Sequence, residues 1–229
     1  MLDVSCIIIN YNTSRFTLEC VQAVVDKTSE AISYEIIVVD NGSTDGSLEI
    51  ARKFDVDIVE KRDVNVGGVR NYGASRARGD VLVFVDSDCV VEKNWLKQGV
   101  SLICSGMDVV GGLYLLRENP SWIEYSWVLQ SSKEYVYQKT LVGGCIFIKK
   151  TIFDSVNGFD ENLSAGEDTD LTTRLLKKGV NLSVNPTLSV IHLGYPNTIK
   201  SFIKRQMWQA EDYFQKLPEG LRDKIFLLT

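Results

Sequence analysis

One stretch limits the fold more than any other: Gly-Asp-Val-Leu-Val-Phe-Val-Asp-Ser-Asp-Cys-Val-Val, from Gly79 to Val91. Val81 to Val85 is an unbroken apolar run of mostly β-branched side chains. Such a run needs an apolar layer on each face, so it predicts a central strand covered on both sides. The run stops on Asp86-Ser87-Asp88. In extended backbone, residues two apart point to the same side, so both carboxylates can leave the strand end together. Two carboxylates about 5 Å apart repel by roughly 3 kcal/mol at an effective dielectric of about 20. A site that keeps both ionised holds a cation beside them, and a divalent metal carrying a phosphorylated ligand suits oxygen donors. The alternative is a polar turn. Asp55 and Asp57 repeat the spacing with no long apolar run before them, and are expected at the surface.

The rest of the first half alternates strands and helices. Val4 to Ile9 is a second buried-strand run, ending in Asn10-Tyr11-Asn12. Thr13 or Ser14 can cap a helix that keeps Leu18, Val21, Val24 and Val25 at helical spacing. Ile36 to Val39 gives the next strand and ends on Asp40-Asn41-Gly42-Ser43. A helix through Leu48, Ile50 and Phe54, a short strand at Val56 to Val59 and a helix near Val69 to Ala77 follow. This alternation predicts an α/β domain with a mainly parallel sheet and helices on both faces. Ligands of such sheets bind at the carboxyl ends of strands, where Asn12, Asp40 and Asp86 fall. A carboxylate at Asp40 can accept the imide N–H of uracil or the N–H edge of guanine, whereas adenine has no equivalent ring N–H. The same Asn-, Gly- and Ser-rich segment also makes a turn whatever the function. Arg70, in Val-Gly-Gly-Val-Arg, either pairs with a diphosphate or faces solvent. No G-x-G-x-x-G follows the first strand and no G-x-x-x-x-G-K-[ST] occurs, which excludes the two commonest glycine-rich phosphate cradles.

At 229 residues and 45% hydrophobic content the chain is long enough for one large domain. A net charge of −5 argues against a nucleic-acid partner. Phosphates must then be met by a metal or by a few local cations. Five cysteines without C-x-x-C spacing predict buried free thiols in a reducing, cytoplasmic setting. No signal-like segment opens the chain, and no apolar run approaches the roughly 18 residues that span a bilayer.

In the second half, Trp95 to Ile103 predicts a helix and Met107 to Leu116 a strand containing Gly111-Gly112. Tyr114, Trp122, Tyr125, Trp127, Tyr135 and Tyr137 can stack on sugars, meet lipid, or fill the core, and at least half are expected in the core. Gly143 and Gly144 precede a strand, where glycines admit a ligand close to backbone or mark a bulge. Ser164 and Glu167 match a capping box, and Asp170 and Arg174 lie four apart on one helical face. Asp168 is left without a structural task, which makes it the candidate catalytic base. Two short strands flank Pro186, and the second ends at His192, the only histidine. A lone histidine there is either a hydrogen-bonded half-buried residue or a ligand. From Ile199 a helix carries Phe202, Ile203, Met207, Ala210 and Phe214 with Lys200, Lys204 and Arg205, and either packs on the flank or rests on anionic lipid.

The ordered series VSCIIINYN, IIVVDNGSTDGS, NVGGVRNYGASRARGDVLVFVDSDC, LVGGCIFIKK, GFDENLSAGEDTDLTTRLLKKG and VIHLG resembles the family 2 glycosyltransferases of GT-A fold over nearly all of residues 3 to 195. The resemblance implies a single GT-A domain over residues 1–195, with a central, mainly parallel twisted sheet, followed by a small helical extension over 196–229. It implies inverting transfer from a nucleotide-diphosphate sugar, a UDP-sugar first, to a saccharide, lipid-linked or protein acceptor, with Mn²⁺ or Mg²⁺. It places Asp40 on the base and Asp86 towards the ribose, and the strand-end Asn12 and the diphosphate candidate Arg70 complete the expected nucleotide set. It assigns Asp88 and His192 to the metal. Gly143 and Gly144 would border the donor sugar, and Glu167-Asp168 would supply the base, its aspartate being Asp168. The Q-x-x-R-W signature and long membrane helices of processive members are absent, so contact with the inner face of a membrane would rest on the last helix. Two other readings stay open. The strand-and-DSD pattern also matches haloacid-dehalogenase-like phosphatases, although three strands precede it here. A catalytically silent subunit that binds sugar nucleotides would also keep these residues.

Overall fold

The computed structural model describes residues 4–28, 32–126, 128 and 140–216, with side chains to 208. Its centre is a sheet of seven strands in the order β3-β2-β1-β4-β8-β6-β9. These are β1 (Val4–Asn10), β2 (Tyr34–Asp40), β3 (Asp57–Glu60), β4 (Val81–Asp86), β6 (Val109–Gly111), β8 (Ile146–Lys149) and β9 (Leu182–Val184). The first four run parallel. Only β8 is reversed, pairing antiparallel with β4 and β6, and β9 returns parallel to β6. The sheet is mainly parallel, as expected.

Both faces are covered, and the strand period of two divides the core between them. Cys6, Ile8, Val38, Val83 and Val85 point to one face. There they meet Val21 and Val24 of α1 (Ser14–Lys27), Ala51 of α2 (Ser47–Ala51) and Trp95 and Leu96 of α4 (Trp95–Cys104). Ile7, Ile9, Val39, Leu82 and Phe84 point to the other. Their partners are Val69 and Ala74 of α3 (Val66–Arg76), Phe153 of α5 (Lys150–Ser155) and Leu171 and Leu175 of α6 (Glu167–Lys177). Val81 to Val85 are all fully buried, which is why that run needs no polar alternation.

A second sheet, β5-β10-β7, lies beyond the end of β4. It contains β5 (Cys89–Val90), β7 (Tyr114–Leu115) and β10 (Val190–His192). The single strand expected over Met107 to Leu116 is therefore two strands in different sheets. After Gly111 the backbone changes partners: Gly112 donates to Cys145 O, Leu113 to Ser189 Oγ, and Leu113 O accepts from Val190 N. The last helix, α7 (Ile199–Lys216), follows β10. Among the described residues no helix is long and apolar enough to cross a membrane.

Of the six aromatics, at least half of which were expected in the core, Trp122 and Tyr125 are 70% and 55% exposed, while Tyr114 is partly buried. Trp127, Tyr135 and Tyr137 lie outside the described residues. Four of the five cysteines are buried free thiols, and Cys104 is exposed.

Candidate active site

Three parallel strands end side by side, and a buried polar chain ties their ends together. Asn10 closes β1 and Asp40 closes β2, paired in register. Asn10 Nδ2 donates to Asp40 Oδ1 at 2.6 Å. Thr13 Oγ1 donates to Asn10 Oδ1 at 2.7 Å and lies 2.6 Å from Ser87 Oγ, between Asp86 and Asp88. Thr13 is the N-cap of α1 but spends its hydroxyl on this chain, and the α1 entry is held by Ser14 N donating to Asp45 Oδ2.

Asp40 departs from expectation. It is fully buried, and both oxygens are taken. Oδ2 accepts from the backbone N–H groups of Gly42 and Ser43, and Oδ1 from Asn10 Nδ2 and Ser43 Oγ. It builds the turn and has no edge left for a base. Asn12 likewise shapes the loop: at φ +51° it receives Thr44 N on Oδ1 and donates its own N–H to Ser43 Oγ. Asn41 is the neighbour that faces the cleft. Its Nδ2 donates to Val64 O, while its buried Oδ1 has no hydrogen-bond partner.

Below these strand ends opens a cleft of about 880 Å³, to which Asn41, Arg70, Asp86, Asp88, Gly143, Glu167, Asp168 and His192 all contribute. Arg70 organises its floor. Its side chain is 3% exposed and does not face bulk solvent. One terminal nitrogen donates to Asp86 Oδ1 at 2.7 Å and the other to Glu167 Oε1. The guanidinium also lies over the Phe159 ring. Burial works to raise the Asp86 pKa, but the Arg70 charge and hydrogen bond outweigh it and hold the carboxyl below its ordinary value. The second Asp86 oxygen accepts from Tyr114 Oη at 3.0 Å, and Tyr114 Oη in turn accepts from Gly144 N at 2.7 Å.

Glu167 thus faces inward and does not form the capping box expected with Ser164. The N-cap of α6 is Gly166, at φ +73°, without a side-chain cap bond. Asp170 and Arg174 do pair as expected, Nε to Oδ2 at 2.8 Å. Asp168 sits beside Glu167, its Oδ2 accepting from Gly143 N at 3.1 Å and its Oδ1 from Thr169 N at 2.7 Å. Burial first, and the adjacent Glu167 charge second, push its pKa up to about 6 against the opposing pull of Arg70. The glycine pair gives room to the chain's own side chains. A Cβ on Gly143 would stand 2.5 Å from Arg70 Nη2, and one on Gly144 2.8 Å from Asp86 Oδ2.

Asp88 and His192 meet because β5 and β10 pair antiparallel, Cys89 opposite His192. His192 Nε2 is 3.6 Å from Asp88 Oδ2, and a ligand atom of Cys89 lies within 4.8 Å of both. The imidazole is buried between the rings of Tyr114 and Tyr195, and its Nδ1 has no hydrogen-bond partner. Burial lowers the His192 pKa against the pull of Asp88, which keeps the ring in its neutral, ligating form. Desolvation drives the Cys89 thiol well above its usual value, so the protonated sulfur is the weakest donor of the three. A carboxylate oxygen and a neutral imidazole nitrogen 3.6 Å apart suit a divalent cation. A Cβ on Gly194 would overlap the Asp88 carboxylate, so this glycine is part of the site as well. Asn41 was named only as part of a turn and Tyr114 only among aromatics that could stack on sugars, meet lipid or fill the core, and the folded chain brings both to the cleft.

Residues 5–156 match the model of glycosyl transferase family 2, and residues 124–200 that described as the N-terminal domain of galactosyltransferase. The glycosyltransferase AglE of Haloferax volcanii is 31% identical over 192 residues, which is 79% of this chain and 63% of AglE. The mannosyltransferase PcManGT of Pyrobaculum calidifontis, solved with GDP-Man and Mn²⁺, superposes with a TM-score of 0.72 at 17% identity. That match covers 93% of this chain and 63% of the mannosyltransferase. S. aureus TarS 1-349, solved with UDP-GlcNAc, gives a TM-score of 0.64 at 22% identity over 98% of this chain and 70% of TarS 1-349. The chain thus spans a little under two thirds of the first two of these proteins.

Proposed function

The chain belongs to glycosyl transferase family 2, with the GT-A fold, and from that premise we propose that it moves a sugar from a nucleoside-diphosphate donor to an acceptor hydroxyl with inversion. Membership removes the phosphatase reading. The observation that carries the proposal is the convergence in one cleft of a carboxylate with a pKa of about 6, Asp168, and an Asp88–His192 pair suited to a divalent cation.

In this reading Asp168 takes the proton from the acceptor hydroxyl, which attacks the anomeric carbon opposite the leaving group. A base works best with a pKa near the working pH, and burial beside Glu167 brings Asp168 there. Gly143 N and Thr169 N fix the direction of its lone pairs. Asp88 and His192 would hold Mn²⁺ or Mg²⁺, which when bound neutralises charge on the departing diphosphate. Arg70 acts through others: it aims Asp86 and holds Glu167 against the floor. Asn41 replaces Asp40 as the group that meets the base. Its unpartnered Oδ1 can accept the ring N–H that uracil and guanine share, so UDP or GDP donors are favoured over ADP. The two solved relatives, one with GDP-Man and one with UDP-GlcNAc, support a donor from one of these classes. Acceptor identity is proposed only as a saccharide, lipid-linked or protein hydroxyl.

The test is product formation from a panel of UDP and GDP sugars with Mn²⁺. Turnover lost in Asp168→Asn with donor binding retained supports the reading. A chain that binds donor but turns it over with no acceptor, water included, would be the silent binding subunit instead.

A further inference from the structure

Helix α7 serves the cleft with one side, and among the described residues nothing covers the other. It starts at a reciprocal cap, with Thr198 N donating to Ser201 Oγ and Ser201 N to Thr198 Oγ1, both at 3.1 Å. On the inner side Arg205 donates to Gly194 O at 2.8 Å, and Arg205 and Trp208 line the cleft mouth. At about 100° per residue, Ile199, Ile203 and Met207 form one continuous stripe, with Lys200 and Lys204 along its edge. The stripe faces outward: Ile199 is 59%, Ile203 53% and Met207 70% exposed, and both lysines are exposed. Scattered apolar residues on a surface need no explanation, but three in register on one helix do. From Asn197 to Trp208 the chain has three cations and no carboxylate, although its net charge is −5.

These observations select the occupant. A second copy seated antiparallel on the stripe would set the two lysine edges against each other. A neutral apolar partner would leave the lysines without a role. An anionic bilayer satisfies both sets of side chains.

We propose that this face of α7 rests on an anionic lipid surface, with Ile199, Ile203 and Met207 in the acyl boundary and Lys200 and Lys204 among the headgroup phosphates. The cleft mouth, marked by Arg205 and Trp208 on the same helix, then lies beside the membrane. Vesicle binding requires neither donor nor metal, so this surface stands or falls separately from the transfer chemistry.

The experiment is co-sedimentation of the chain, without donor or metal, with vesicles of phosphatidylcholine and phosphatidylglycerol and with vesicles of phosphatidylcholine alone. Binding should favour the anionic vesicles and weaken in high salt. It should fall by about tenfold or more in Lys200→Glu/Lys204→Glu and in Ile203→Ser/Met207→Ser. All four side chains are exposed and none lines the cleft, so melting temperature and donor binding should not change. Failure to bind anionic vesicles, equal binding to both kinds, or variants that bind like the parent would each overturn the proposal. So would a dimer in light scattering that Ile203→Ser/Met207→Ser dissolves in the absence of vesicle binding.

Discussion

Asp168 and Glu167 are adjacent in the chain yet do different work, and the difference is environmental. Glu167 is spent on Arg70, its Oε1 accepting from a terminal nitrogen of the guanidinium. Asp168 has backbone donors but no cation of its own, and burial next to Glu167 raises its pKa to about 6. Asp168→Asn should therefore keep donor and metal binding while transfer falls by roughly 10² to 10⁴-fold, the usual worth of a positioned base. Normal transfer in Asp168→Asn with loss in Glu167→Gln would mean the roles are reversed. The pH profile separates them further. A base must be deprotonated, so kcat/KM should fall as pH drops through about 6. The Glu167 charge raises the Asp168 pKa, so the acid limb of Glu167→Gln should move to lower pH. An unmoved limb would assign it to another group.

At the scale of elements, the cleft is held by contacts between segments far apart in the chain. Arg70 joins α3 to the end of β4 and to the first turn of α6, reaching Glu167 across 97 positions. Truncating one partner of a buried ion pair leaves charge without compensation, so Arg70→Leu should lower unfolding free energy by about 3–5 kcal/mol. Urea unfolding measures this, and a loss below about 1 kcal/mol would mean that the pair is not closed in solution. Gly194, just past β10, lets Asp88 approach His192. Gly194→Ala should weaken Mn²⁺ affinity by about 10–100-fold with little change in melting temperature, the signature of a perturbed supporting shell. These links explain what was legible. Val81–Val85 disclosed a strand buried on both faces, and the strand ends at Asn10, Asp40 and Asp86 disclosed where a cleft must lie. The inward turn of Glu167 was hidden, because Ser164-x-x-Glu167 also satisfies a local capping rule and only the tertiary partner decides between them. The full hydrogen bonding of Asp40 was partly hidden for a similar reason: Gly42 and Ser43 supply local donors, but the fourth bond comes from Asn10, which register alone places beside it. The β6–β7 break was equally hidden, since an exchange of strand partners leaves no periodicity signal.

At the scale of the whole molecule, an acidic chain must meet a diphosphate without a basic surface. In the proposed reading the anionic Asp88 and the neutral His192 resolve this by recruiting a divalent cation, while the buried Arg70 offsets the charges of Asp86 and Glu167. The seven-stranded sheet holds the first strand ends rigidly, and the small second sheet brings His192 back to them. Sequence pattern gave the sheet and its layers, and family resemblance gave the pairing of Asp88 with His192. Neither could supply the distances. The claim that the two sheets together form a metal-dependent nucleotide site is tested most directly by calorimetric titration of UDP and GDP, with and without Mn²⁺, into the parent chain, Asp88→Ala and His192→Ala. At least one of the two nucleotides should bind the parent more tightly with Mn²⁺, and both variants should lose that Mn²⁺ dependence. Nucleotide binding that ignores Mn²⁺ in the parent, or a Mn²⁺ effect that survives in both variants, would contradict it.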